Sequence, residues 1–176
     1  MDERSLQTQS GGARARRGRW WRWLRDIALL LLVFVAVQWW QARSLVHGAA
    51  PPLTGHLIDG SPWQLDPADG PQLVHFWASW CPVCRLEQDN IANLAVDGRV
   101  ITVATTSGTA DELRGYLAEH ALQLPVLMDE AGHIARQWGV NGVPATFVVD
   151  TKGQIRYAAK GYSTEWGLRL RLWLAE

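Results

Sequence analysis

Cysteine is almost missing from this chain: its 176 residues hold two, Cys81 and Cys84, with two residues between them. A zinc site would therefore need two more ligands, from His56, His75, His120, His133 or a carboxylate, and none of these stands in a paired spacing. Net charge is missing as well, since seventeen basic residues meet seventeen acidic ones. Nor is there a long apolar run. The longest, Ile27 to Val37, has eleven residues, against the roughly 17 to 25 of a membrane-spanning helix. What is present suits one packed core: 48% of residues are hydrophobic and 19% charged, far from the composition of disorder. The length fits one domain and an accessory segment.

The zero net charge hides an asymmetry. Residues 1–26 carry seven arginines against three acids, while the rest of the chain carries ten basic residues against fourteen acidic ones. The arginines stand directly before the apolar run, which is where membrane-orienting charge belongs; a nucleic-acid arm is the disfavoured alternative. Trp20, Trp21 and Trp23 precede the run, and Trp39 and Trp40 follow it, like the aromatic belts at the two faces of a bilayer. Taken from 20 to 42 the segment is long enough to span. Arg22 and Arg25 then fall in its first turns, where their stems lie along the helix and their heads reach the lipid headgroups. A cleaved secretory signal shares the basic-then-apolar order, but the nearest small-residue cluster, Gly48-Ala49-Ala50, lies well beyond the end of the run. Both readings export the residues after about 42. The expected organisation is a basic cytoplasmic arm at 1–19, a transmembrane signal anchor at 20–42 in contact with the lipid bilayer, a tether at 43–52, and a folded domain at 53–176.

Within that domain, Leu53 to Ile58 and Trp63 to Leu65 flank Asp59-Gly60-Ser61-Pro62 and predict a small hairpin. Short apolar strands are predicted at 72–77, 100–104 and 125–128, and helices at 82–95 and 131–138, the latter stopped by Gly139. Thr109-x-x-Glu112 is a capping box that opens a further helix with Leu113, Tyr116, Leu117 and His120 on one face. Residues 145–149 and 154–159, joined by Asp150-Thr151-Lys152-Gly153, predict a second hairpin. Residues 166–174 fit a strand period and a helix face equally well. Strands alternating with helices and closing on a hairpin predict an α/β domain with a mixed central sheet flanked by helices.

The cysteines fall where a predicted strand ends and a helix begins, in Trp80-Cys81-Pro82-Val83-Cys84. Such a pair closes a structural disulfide, gives half a metal site, or cycles between dithiol and disulfide. A bridge over two residues removes little unfolded-state entropy, so stability is a poor reason for it. Redox cycling needs no other residue type. The attacking thiol needs a lowered pKa and exposure; Cys81, at the helix N-terminus, gains the first from backbone N–H groups and the helix dipole, and Cys84, one turn on, is placed to displace a partner bound to it. Pro82 at the first helical position loses no hydrogen bond. Arg85 is the one cation close by in sequence. A copper-binding or copper-delivering module, holding Cu(I) on the two soft thiolates, is the non-enzymatic alternative.

Phe76-Trp77-Ala78-Ser79-Trp80-Cys81-Pro82-Val83-Cys84-Arg85-Leu86-Glu87 resembles the active-site strand, turn and helix of thioredoxin-like proteins, specifically the membrane-anchored TlpA, ResA and CcmG group with its ScsD type. Gly142-Val143-Pro144-Ala145-Thr146-Phe147 resembles that group's Gly-Val-Pro-x-Thr-Phe segment. The resemblance implies a thioredoxin-like fold in which 109–128 form an extra helix–strand insertion and the ambiguous terminal segment is a helix. It implies that Pro144 is a cis-proline facing the cysteines, that it turns the backbone of Val143 toward an incoming chain, and that Trp80 and Pro82 also contact substrate. No cofactor is implied beyond the redox-active Cys81–Cys84 disulfide, and no metal.

One position departs from the pattern. Six residues before the first cysteine, where thioredoxin-like reductants often carry a buried acid, this chain has His75. An imidazole could deprotonate the second thiol; a histidine merely satisfied by its neighbours is the alternative. Glu87 matches a family glutamate, with a solvated helix face as its alternative. The activity implied is thiol–disulfide exchange on exported proteins carrying disulfides or thiols. A reductant of cytochrome c maturation or copper-stress repair, recharged by a membrane electron carrier, is expected over an oxidant. The expected location is a bacterial inner membrane, crossed once, with the N-terminus cytoplasmic and the catalytic domain periplasmic.

Overall fold

The computed structural model describes residues 12–176, with side chains throughout except at 12–19, 34 and 38–42. The first eleven residues of the expected basic arm lie outside the described residues. The chain divides into two units, one ending at Gln41 and one running from Ala42 to Glu176.

The first unit is helical because nothing in it breaks a helix: α1, Gly12–Ala42, contains no proline. Its described side chains are exposed, Trp20 and Trp21 meet edge to face, and Arg25 pairs with Asp26 at 2.9 Å. Among the described residues no helix is long and apolar enough to cross a membrane. The expected span at 20–42 thus forms a helix, but with Arg22, Arg25 and Asp26 inside it the apolar stretch stays short.

In the second unit, a six-stranded sheet has the order β1-β8-β7-β4-β5-β6. Its strands are β1 (Gly48–Ala49), β4 (Gln72–Trp77), β5 (Val100–Thr105), β6 (Val126–Asp129), β7 (Ala145–Val149) and β8 (Gln154–Lys160). The hairpin of β2 (Thr54–His56) and β3 (Pro62–Gln64) stands apart from it. β4, β5 and β6 run parallel, β7 pairs antiparallel with β4, and β8 pairs antiparallel with β7. β4 and β5 are buried on both faces almost throughout, which is why each reads as a mostly apolar run rather than an alternation.

The two-residue period of β4 sorts its side chains. Val74 and Phe76 join the core beneath α4 (His133–Gln137), with Ile101, Val103, Trp138 and Phe147. Leu73 packs instead with Ile91 and Leu94 of α2 (Pro82–Ala95) and Leu168 and Leu172 of α5 (Glu165–Trp173). Trp77 meets Leu113 and Leu117 of α3 (Ala110–Glu119). His75, between Leu73 and Trp77 in that alternation, shares the face of α2. The Thr109–Glu112 capping box closes in both directions at the start of α3. The terminal segment is a helix, capped by Thr164 on Gly167 N–H.

The segment expected as a tether is part of the fold. Leu45 is 3% exposed and sits in the core with Trp138 and Phe147. Val46 N–H donates to the Trp138 carbonyl, and β1 pairs with β8. Gly139 turns at φ +68°, and a Cβ there would overlap the Ser44 carbonyl, so the segment and the α4 turn fit backbone to backbone. A sequence pattern of one leucine among polar and small residues gave no sign of this.

Candidate active site

β4 ends at Trp77, the chain turns through Ala78 to Trp80, and α2 begins at Pro82 with Cys81 as its N-cap. Cys81 Sγ accepts the Cys84 N–H at 3.2 Å, the capping bond that a serine or aspartate oxygen usually supplies. The two cysteines form a disulfide, with their Cα atoms 5.3 Å apart. An exposed attacking thiol is the expectation from sequence; in this disulfide form both cysteines are only 4% exposed, packed with Trp77, Ala78 and Leu113. Exposure belongs to the rim instead. Trp80 is 60% exposed, and Pro82 and Val83 are exposed beside it.

The Val143–Pro144 peptide bond is cis, and the Val143 carbonyl oxygen lies 3.7 Å from Cys81 Sγ. Pro144 itself is buried, its carbonyl taken by Gly161 N–H at 2.8 Å. The structure thus brings Trp80, Cys81, Pro82, Cys84, Val143 and Pro144 into one place from two motifs some sixty positions apart.

Behind the disulfide lies a polar group of three residues sealed in the core. His75 and Thr146 are direct cross-strand partners on β4 and β7, and His75 Nδ1 lies 3.0 Å from Thr146 Oγ1. On the other side, His75 Nε2 faces Glu87 Oε1 at 3.6 Å. Glu87 is fully buried on the inner face of α2, three residues beyond Cys84, so a solvated helix face is excluded for it. Its Oε2 accepts the Ser163 N–H at 2.7 Å, and its Oε1 has no hydrogen-bond partner.

Burial penalises the charged form of both groups. The His75 pKa is pushed down to about 3 and the Glu87 pKa up to about 7. Below pH 7 the contact is therefore between a neutral imidazole and a protonated carboxyl, not an ion pair. Neutral His75 with its Nδ1 proton on Thr146 leaves Nε2 free to accept the Glu87 proton. His75 and Cys84 also line a common cavity of about 10 Å³ with Trp77, Gln88 and Tyr116, at the lower limit for one water molecule.

Thr146 stands in the Gly-Val-Pro-x-Thr-Phe segment, but nothing in the sequence shows it as the partner of His75, and Ser163 was not legible as a site residue at all. Thr146 follows from alternation only once the β4–β7 register is known, and Ser163 lies in a loop with no pattern of its own. Among the described residues no cluster of three or more His, Cys, Asp or Glu could hold a metal ion, so a metal reading rests on the two cysteine sulfurs alone.

A model of the redoxin family matches residues 46–167. A thioredoxin-like protein of Haemophilus influenzae is 30% identical over 154 residues, covering 86% of this chain and 92% of that protein. The thiol:disulfide interchange protein HelX of Rhodobacter capsulatus is 42% identical over 95 residues, 53% of this chain and 54% of that protein. Among solved structures, that of a putative thiol:disulfide interchange protein DsbE from Chlorobium tepidum superposes with a TM-score of 0.65 at 24% identity, covering 74% of this chain and 98% of the other. That last likeness is one of fold.

Proposed function

The chain belongs to the redoxin family and is a thiol:disulfide oxidoreductase of thioredoxin-like fold, and from that premise we propose that it reduces disulfides in exported proteins, held at a membrane by α1. The carrying observation is the Cys81–Cys84 pair at the start of α2, set against the Val143 carbonyl. In the reduced protein the Cys81 thiolate attacks one sulfur of a substrate disulfide. A Cys81–substrate bond forms, the substrate S–S bond breaks, and the other substrate sulfur leaves as a thiolate. Cys84, as a thiolate, then attacks Cys81 Sγ, closing the protein's disulfide and releasing the second substrate sulfur. Two electrons pass to the substrate, whose two thiolates take up two protons; a membrane dithiol carrier reverses the change in the protein.

The proton of Cys84 goes to Glu87. With its pKa near 7 the Glu87 carboxylate is a usable base at neutral pH, whereas burial makes His75 a poor one. His75, whose Nε2 faces Glu87 Oε1 at 3.6 Å, is a positioning residue, and it lines the same cavity as Cys84. Trp80, Pro82, Val143 and Pro144 form the surface on which a substrate segment lies.

What supports the reducing direction is that the surroundings favour the thiolate only moderately. Cys81 Sγ meets one N–H and one carbonyl oxygen within an apolar surround, and strong oxidants owe their potential to a stabilised reduced form. The resemblance to the TlpA, ResA and CcmG group points to cytochrome c maturation or copper-stress repair as the setting. The arginines before the apolar run and the tryptophans around it support a signal anchor with its N-terminus cytoplasmic and the catalytic unit periplasmic.

Expression of Cys84→Ser followed by non-reducing electrophoresis traps covalent partners through Cys81, and equilibration of the wild type with glutathione gives a potential below the roughly −180 mV of a disulfide isomerase. No trapped adduct, with stoichiometric Cu(I) bound by the wild type, would transfer the reading to copper handling.

A further inference from the structure

Beside the disulfide lies a cleft of about 250 Å³ that the exchange chemistry does not use. Trp80 and Val143 form the wall it shares with Cys81; Thr106, Arg136 and Asn141 form the others. Trp80 is held as a fixed face, because its indole N–H donates to the Thr106 carbonyl at 3.0 Å while most of the ring stays exposed. Thr106 does this at φ +46°, a conformation costly for a β-branched residue and of the kind that gathers at functional sites. An exposed, pinned tryptophan beside a cleft has the character of an interface anchor.

The opposite wall is cationic. Among the described residues lining the cleft, Arg136 alone is charged. Its Nη1 donates to the Ala131 carbonyl at 2.9 Å and its Nη2 to His133 Nδ1 at 2.7 Å, which fixes the guanidinium and leaves three of its five N–H donors free. Arg99, Arg114, Arg156 and Arg169 each pair with a carboxylate. Arg136 has no acidic partner among the described residues. Lys160, which donates to Asn141 Oδ1 at 2.9 Å, and Arg85, which donates to the Ser79 carbonyl at 3.2 Å, likewise meet oxygens that carry no formal charge.

We propose that this cleft receives the residues flanking the reacting cysteine of a substrate protein, and that Arg136 selects substrates with a carboxylate there. The inference rests on the thiol–disulfide reading above and specifies which substrates it favours. The volume falls just under the ordinary range of about 300 to 1,000 Å³ for ligand sites, so a short stretch of chain fits and a folded element does not. A planar guanidinium with free, forked N–H groups matches a carboxylate in two-point contact. An apolar face opposite it suits a peptide with an acidic residue next to a hydrophobic one.

The test uses the reduced full-length protein and two synthetic peptides, each with one cysteine joined by a disulfide to 2-mercaptoethanol, identical except for glutamates or lysines beside the cysteine. Bis(2-hydroxyethyl) disulfide is the uncharged control. The wild type reduces the acidic peptide about three- to tenfold faster at low salt, and the ratio shrinks as ionic strength rises. Arg136→Gln abolishes the preference and Arg136→Glu inverts it, with the rate on the uncharged disulfide unchanged in both. Equal wild-type rates on the two peptides, or a preference that survives Arg136→Glu, overturn the assignment while leaving the exchange chemistry standing. Failure of the wild type to reduce the uncharged disulfide instead removes the reading beneath it.

Discussion

His75 Nε2 lies 3.6 Å from Glu87 Oε1, with both side chains closed off from solvent. Unfolding turns this neutral pair into an imidazolium and a carboxylate between their ordinary pKa values of 6.5 and 4.5. Over that window folded and unfolded states bind the same number of protons through the pair, so its contribution to stability is flat. Below pH 4.5 the unfolded state binds one more proton, and stability falls as pH drops toward 3. Above 6.5 the folded state holds one more, on Glu87, and stability falls as pH rises through 7.

Glu87→Gln removes half of this balance. His75 alone then makes the unfolded state bind the extra proton from pH 3 to 6.5, so the mutant gains stability with rising pH. Relative to the wild type the change is roughly 1.4 kcal/mol per pH unit. Urea denaturation of both proteins at pH 4.5, 5.5 and 6.5 measures it. A difference that stays constant across the three would mean that the groups are not both neutral when folded.

Thr146→Val keeps the shape of the side chain but removes the oxygen 3.0 Å from His75 Nδ1. The expected loss is about 1 to 3 kcal/mol, the cost of a buried polar atom left unpaired. A double-mutant cycle with His75→Phe isolates the interaction; coupling near zero would show that the hydroxyl satisfies another group. The pH profile of disulfide exchange should also move in Thr146→Val, because the imidazole that orients Glu87 is released.

Leu45→Ala tests whether the segment after α1 is structural. A free tether would tolerate it without effect. For a leucine at 3% exposure packed on Trp138 and Phe147, the expected loss is about 2 to 5 kcal/mol, read as a lower urea midpoint with an unchanged slope.

Alkaline carbonate extraction of membranes from a bacterial host tests the anchor. The full chain should stay in the pellet and a chain beginning at Arg43 should be released. Recovery of both in the supernatant would remove the membrane from the account.

What could be read from sequence depended on the range of the signal. The Cys-x-x-Cys at a strand–helix junction and the capping box at Thr109 are local, and both stand in the structure as their chemistry dictates. The buried strands were legible because burial on two faces leaves few polar positions to confuse the pattern. The terminal helix came from the resemblance and not from periodicity, because Trp166, Leu170, Trp173 and Leu174 are exposed and their apolar character blurs the period, while Leu168 and Leu172 carry the packing. The pairing of Thr146 with His75 and of Ser163 with Glu87 was silent for a different reason: each joins residues more than seventy positions apart, through a register or loop position that no local spacing encodes. Cys81 was expected in the open, and its low exposure reflects Trp77 and Leu113 closing over it, a contact between separate elements.

The stretch from Val46 to Ile58 has one more consequence. It lays two residues of β1 along β8 at one side of the sheet and, through Leu57 and Ile58, touches β6 at the other. A bare outer strand offers its amides to any neighbouring molecule and seeds stacking of chain upon chain. Here the same short passage of polypeptide covers part of both margins, and a version trimmed back to Leu53 would bare β8 first.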